Sequence, residues 1–120
     1  MNKILIVDDT AHLLEEISDL LIMEGYNILT ASNALDGLAI VEDFMPDLII
    51  TDLLMPKMDG FEFISELRAK PELEVTPIIV LSAQVTKETE QKIKEYSADA
   101  YLRKPCTADQ LITAIDKLLK

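Results

Sequence analysis

The strongest constraint on this chain is a repeated change of period. Short runs that are apolar at every position, residues 4–7 (ILIV), 48–50 (LII) and 78–81 (IIVL), alternate with longer stretches whose apolar residues recur every three or four positions. A strand covered on one face alternates apolar with polar residues, whereas a strand covered on both faces is apolar throughout. Such runs call for a sheet with helices on both sides. Strand–helix alternation calls for parallel strands, because a parallel neighbour is reached only through a crossover.

The repeat continues from end to end. Residues 4–7 read as the first strand. Residues 11–25 read as a helix with Leu13, Ile17, Leu20 and Leu21 on one face, ended by Gly25. Residues 26–31 (YNILTA) form a weaker, more polar strand suited to a sheet edge. Residues 33–44 form a helix that Gly37 is expected to loosen, at a cost of about 1 kcal/mol relative to alanine. A third strand spans 47–51, and a third helix, N-capped by Asp59, spans 59–69. Residues 71–76 are a loop and 77–82 a fourth strand with Pro77 at its margin. Residues 86–95 make a polar fourth helix anchored by Ile93 and Tyr96, and 100–102 a short fifth strand. The last helix, 107–119, has Thr107 as N-cap and Leu111, Ile115 and Leu118 on one face. Five strand–helix repeats fill residues 1–120 as one α/β domain.

Composition narrows the function. The formal charge is −11, from 22 acidic and 11 basic residues, so a phosphate backbone is repelled and direct nucleic-acid binding is not expected. Cys106 is the single cysteine, which excludes an internal disulfide. The first apolar run is too short for a signal peptide and no run reaches membrane-spanning length. No membrane partner and a cytoplasmic location are therefore expected.

In a doubly wound sheet, sites form beyond the carboxyl ends of the strands. Asp8 and Asp9 follow the first strand, Asp52 the third, Ser82 ends the fourth, and Lys104–Pro105 follow the fifth. Singly, each has a plain structural reading: a cap, a turn, a surface lysine. Together they put three carboxylates, a hydroxyl and an amine on one rim. Crowded carboxylates repel one another unless a cation intervenes. A hard divalent ion such as Mg²⁺, keeping some of its waters, fits oxygen ligands of this kind, and a lysine offers a point charge to an anion. The phosphate-cradling motifs GxxxxGK and GxGxxG are missing, which argues against nucleotides and dinucleotides. A small phosphoryl group suits the set, and an aspartate can attack one to become an acyl phosphate.

The segments ILIVDD, PDLIITDLLMPKMDG, PIIVLSA and ADAYLRKP, in this order along the whole chain, resemble the receiver domain of the two-component response regulator family. The resemblance implies a flavodoxin-like (βα)5 sandwich with a five-stranded parallel sheet in the order 2-1-3-4-5. It implies that Asp52 is the phosphoacceptor, and that Asp8, Asp9, Asp52 and the backbone carbonyl of Leu54 hold Mg²⁺. Ser82 and Lys104 would contact the phosphoryl group. Tyr101 would be an aromatic switch that changes rotamer with Ser82, and Pro105 would follow a cis peptide bond. The implied phosphodonor is a phosphohistidine on a sensor histidine kinase or a histidine phosphotransfer protein. The implied output surface is the fourth helix, fifth strand and fifth helix, facing an output module or a second copy.

On this reading the chain is a signalling domain that assists its own phosphorylation and dephosphorylation, not an enzyme. Two other readings compete. A receiver-fold adaptor that works without phosphorylation normally lacks an acidic residue or the lysine, and here none is lost. A metal-dependent phosphatase with an aspartyl-phosphate intermediate needs a second acid–base carboxylate near the nucleophile and a cap; Leu54 stands two residues after Asp52, and no cap insert exists. Leu54, Ser97 in place of a usual glycine, Ala100 and Cys106 depart from the family pattern without removing a chemical group. His12, near the acidic pair, reads as a surface residue.

Overall fold

The computed structural model describes residues 2–119. Its elements in chain order are β1 (Lys3–Val7), α1 (Ala11–Met23), β2 (Asn27–Ala31), α2 (Ala34–Phe44), β3 (Leu48–Thr51), α3 (Gly60–Arg68), β4 (Ile78–Ser82), α4 (Lys87–Glu95), β5 (Ala100–Arg103) and α5 (Ala108–Leu119). A short 3-10 turn, Pro71–Leu73, lies inside the segment expected to be a plain loop. The sheet is parallel throughout, in the order β2-β1-β3-β4-β5. The polar strand β2 is at an edge, as its composition predicts.

Successive side chains of a strand point to opposite faces, and this divides the core in two. Leu5, Val7, Ile49, Ile78 and Val80 pack with Val41, Phe63, Ile64 and Ile93 on the α2–α3–α4 side. Ile4, Ile6, Ile50, Ile79 and Leu81 pack with Leu14, Ile17, Leu21, Leu111 and Ile115 on the α1–α5 side. Each such side chain, fully buried, contributes roughly 1.5–3 kcal/mol of transfer free energy. Both faces are therefore dry, which is why these strands carry no alternation.

Two details differ from expectation. The buried stripe of α1 is Leu14, Ile17 and Leu21, with Leu13 and Leu20 at its margin. Spacings of three and four centre that stripe on the sheet and turn Leu13 and Leu20 toward α5. α2 runs unbroken through Gly37, which is buried. A Cβ there would stand 3.0 Å from Phe63 Cζ and 3.1 Å from Val7 Cγ2, so the missing side chain lets α2 lie close against α3 and β1.

Helix ends follow their capping residues. Asn33 and Asp59 accept from the N–H groups of Asp36 and Glu62, at 2.8 and 2.9 Å. Thr107 and Gln110 cap each other reciprocally: Thr107 Oγ1 accepts from Gln110 N at 3.1 Å, and Gln110 Oε1 from Thr107 N at 2.9 Å. Gly25, at φ +96°, closes α1 in a Schellman turn, with Tyr26 N–H donating to Leu21 O and Gly25 N–H to Ile22 O. Among the described residues no helix is long and apolar enough to cross a membrane.

Candidate functional site

The carboxyl ends of β1, β3, β4 and β5 meet on one rim, and the backbone there is fixed before any side chain acts. Asp52 N–H donates to Val7 O at 3.0 Å, extending the β1–β3 ladder past Thr51. Thr51 is fully buried, and its hydroxyl donates to Asp52 O at 2.9 Å. Gly60 N–H donates to Leu53 O at 2.8 Å, which brings the start of α3 against the turn. A Cβ at Gly60 would stand 2.4 Å from Asp52 O and 2.6 Å from Leu53 Cα, so only glycine permits this approach. The pair Asp59–Gly60 thus caps α3 and clears space for the Asp52 backbone.

Asp52 is 7% exposed and Asp8 3%. Asp52 Oδ1 accepts from Leu53 N at 2.7 Å, and Asp8 Oδ1 accepts from Thr10 N at 2.9 Å. The other oxygen of each carboxylate turns to Lys104, whose Nζ lies 2.7 Å from Asp8 Oδ2 and 3.0 Å from Asp52 Oδ2. Burial alone pulls the Lys104 ammonium toward a lower pKa. The hydrogen bonds and charges of Asp8 and Asp52 more than offset burial, leaving its pKa raised. Lys104 therefore stays cationic and neutralises part of the buried charge.

Asp9 is exposed at the mouth. One oxygen each from Asp8, Asp9 and Asp52 lies within 4.8 Å of the others. That spacing, with all-oxygen donors, fits one hard divalent cation that keeps some of its water.

Ser82 is 1% exposed at the end of β4; its Oγ lies 3.4 Å from Gln84 N, and its carbonyl accepts from Lys104 N at 2.9 Å. Lys104 is thereby tied to the Ser82 strand end through the backbone. The Lys104–Pro105 peptide bond is cis. Leu54 is 61% exposed, with its N–H 3.4 Å from Asp52 Oδ1, and its side chain borders a groove beside Phe61, Gln84 and Thr86. His12 pairs with Glu16 across 2.7 Å on the exposed face of α1, a surface residue as expected.

Tyr101 does not reach the rim. Its hydroxyl donates to Glu90 Oε1 on α4 at 2.8 Å, and Arg103 Nη2 lies 3.7 Å from the same oxygen. The Glu90 hydrogen bond, helped by partial burial, raises the phenol's pKa. Sequence reasoning did not single out Glu90, because one glutamate in a polar helix carries no periodic signal. The roles of Thr51 and Gly60 as braces of the Asp52 backbone were likewise missed; the only signal is that a polar residue and a glycine bracket the acceptor.

The arrangement holds a carboxylate at the end of a rigid strand, with one oxygen fixed by a backbone N–H and the other on a movable ammonium. A small anion entering here meets a lysine, a hydroxyl at the adjoining strand end and a set of cation-binding oxygens. The family model for the response regulator receiver domain matches residues 4–116. Transcriptional regulatory protein CpxR of Klebsiella pneumoniae is 38% identical over 120 residues, which is 100% of this chain and 50% of CpxR. The chain spans about half the length of the first curated relatives it matches. Among solved structures, chemotaxis protein CheY4 of Vibrio cholerae aligns with a TM-score of 0.96 at 33% identity, over 99% of both chains. The receiver domain of sensor histidine kinase PA1611 of Pseudomonas aeruginosa, which has a magnesium ion in its active-site cleft, shares the fold at a TM-score of 0.91 and 24% identity, over 98% of this chain and 97% of its own.

Proposed function

The chain belongs to the response regulator receiver domain family, and from that premise we propose that it is a phosphoryl-accepting switch of a two-component system with Asp52 as the acceptor. The observation that carries this is the setting of the Asp52 carboxylate: braced on backbone N–H, bridged to Asp8 by Lys104, and grouped with Asp8 and Asp9.

The donor is a phosphohistidine on a sensor histidine kinase or a histidine phosphotransfer protein. A carboxylate oxygen of Asp52 attacks phosphorus, the P–N bond breaks, and the imidazole, already protonated on its other ring nitrogen, leaves as the neutral ring. Asp8, Asp9, Asp52 and the Leu54 carbonyl would hold Mg²⁺, which when bound offsets negative charge on the phosphoryl oxygens. Lys104 moves from Asp52 Oδ2 to a phosphoryl oxygen, exchanging one anion for another without losing its charge partner. Ser82 Oγ hydrogen-bonds a second phosphoryl oxygen. Water later cleaves the acyl phosphate and returns the carboxylate.

Output follows from what Ser82 leaves behind. With its hydroxyl drawn to the phosphoryl group, the Tyr101 ring gives up Glu90 and turns inward, changing the α4–β5–α5 face seen by an output module or a second copy. The protein acts as a signalling domain in the cytoplasm and does not itself bind nucleic acid. Neither the unphosphorylated adaptor nor the phosphatase reading gains support: all three aspartates and Lys104 are present, and the residue two after the acceptor is an exposed leucine.

Intact-mass measurement with Mg²⁺ and a small acyl phosphate as donor tests the assignment. Wild type is expected to gain a single phosphoryl group and Asp52→Asn none. An equal gain in Asp52→Asn overturns the assignment.

A further inference from the structure

The negative charge of this chain is all on one side of the sequence. From residue 4 to residue 56 there are 11 acidic residues and no lysine or arginine; the remainder of the chain is balanced. Three of these, Asp8, Asp9 and Asp52, belong to the rim, and seven lie on α1, α2 and the turn after α1, beside the edge of the sheet farthest from α4 and β5.

The edge itself is open. β2 pairs with β1 through alternate residues: Asn27 N–H donates to Asn2 O, and Ala31 O accepts from Asp8 N–H. In a parallel ladder the groups between them, on Ile28 and Thr30, therefore point outward. A groove of ≈ 460 Å³ runs over this edge, lined by Leu14, Thr30, Ala31, Asp36, Ala39 and Ile40.

Its two walls match. Leu13, Glu16 and Leu20 occupy the α1 flank that turns toward α5, so at 100° per residue Glu15 and Ile22 occupy the flank toward β2, with Asp19 beyond them on the outward face. On α2, Asp36 and Ile40 line the groove and Asp43 follows them at helical spacing. Each wall carries an isoleucine and exposed carboxylate, Glu15 on α1 and Asp36 and Asp43 on α2. Among the described residues none of these three carboxylates pairs with a lysine or arginine.

One device that keeps a sheet edge from pairing is a charge placed on the edge strand itself. β2 carries none: its residues are Asn27, Ile28, Leu29, Thr30 and Ala31, and Leu29 is 42% exposed. Here the charges ring an uncharged, partly apolar edge. We infer that this edge binds a basic, extended protein segment, pairs of lysine or arginine alternating with pairs of apolar residues, which adds as a strand beside β2 and, because successive side chains point to opposite faces, sets cations on both the α1 and the α2 wall.

The probe is a decapeptide alternating arginine pairs with valine pairs, titrated into the ¹⁵N-labelled full chain at low and at physiological salt. Saturable shifts centred on Ile28, Thr30 and the two walls are expected, weakening as salt rises. Glu15→Lys with Asp43→Lys is expected to weaken binding at least about tenfold. The same peptide N-methylated at every residue is expected not to bind, because neither of its edges can then donate to a strand. Shifts spread over α3 and α4 as well, equal binding of the methylated peptide, or unchanged affinity in the double variant overturns the inference. Phosphorylation of Asp52 in the double variant is measured alongside and is expected to persist, so failure here is distinct from failure of the acceptor assignment.

Discussion

Ser97 follows α4 with φ +65°, a conformation in which a Cβ is crowded. It is forced there by a Schellman turn, with Ala98 N–H on Ile93 O at 3.0 Å and Ser97 N–H on Lys94 O at 3.1 Å. Gly25 serves the same purpose at the end of α1 without strain. Ser97→Gly is therefore expected to stabilise the fold by about 0.5–1 kcal/mol, the relief of strain being partly offset by the greater freedom of glycine in the unfolded chain. A urea-unfolding midpoint that does not rise refutes this account of Ser97.

Helix α4 is held differently from its neighbours. Ile93 is its single buried side chain, whereas α3 buries Gly60, Phe63, Ile64 and Leu67. The rest of its attachment is at the surface: Tyr96 tilts against Phe61 with ring centroids 5.1 Å apart, and Glu90 receives the Tyr101 hydroxyl. An element held by few buried contacts moves at low cost, which suits the face proposed for output. Tyr101 reports on it. Because the Glu90 bond favours the protonated phenol, its contribution to stability is present below the ordinary tyrosine pKa of about 10 and is lost as pH rises through the raised folded value. NMR titration of ring-labelled tyrosine is expected to show Tyr101 ionising later than in Glu90→Gln, and to lose that difference when a phosphoryl mimic occupies Asp52. An unchanged Tyr101 titration with the mimic bound counts against the switch.

At the scale of the molecule, the end of the sheet opposite the site is locked by Arg68. Its side chain, 15% exposed, donates to Leu73 O at 2.9 Å, Thr76 O at 2.7 Å, Ser97 O at 2.8 Å and Asp99 Oδ2 at 3.0 Å. Asp99 Oδ2 also accepts from Ile78 N at 2.8 Å. One guanidinium thus ties the end of α3, the 3-10 turn, the end of α4 and the starts of β4 and β5. Arg68→Met is expected to cost about 2–3 kcal/mol by stranding these acceptors. Calorimetric melting of the variant at wild-type Tm contradicts the clamp.

What the sequence determined by itself follows from local rules. Unbroken apolar runs such as ILIV and IIVL identify strands buried on both faces, Asp59 and Thr107 mark helix starts, and polar residues at strand ends locate the rim, because periodicity and capping act within a few residues. The strand order came only through family resemblance, since nothing in the spacing of elements says which strands are neighbours. Tertiary structure alone decided the rest. It made Gly37 a packing contact with Phe63 and Val7, turned Leu13 and Leu20 to the margin of α1, and set Lys104 between Asp8 and Asp52. It also joined Tyr101 to Glu90 and gathered Arg68, Ser97 and Asp99. These are relations between side chains on different elements, and they exist only once the sheet has brought distant parts of the chain within hydrogen-bonding reach.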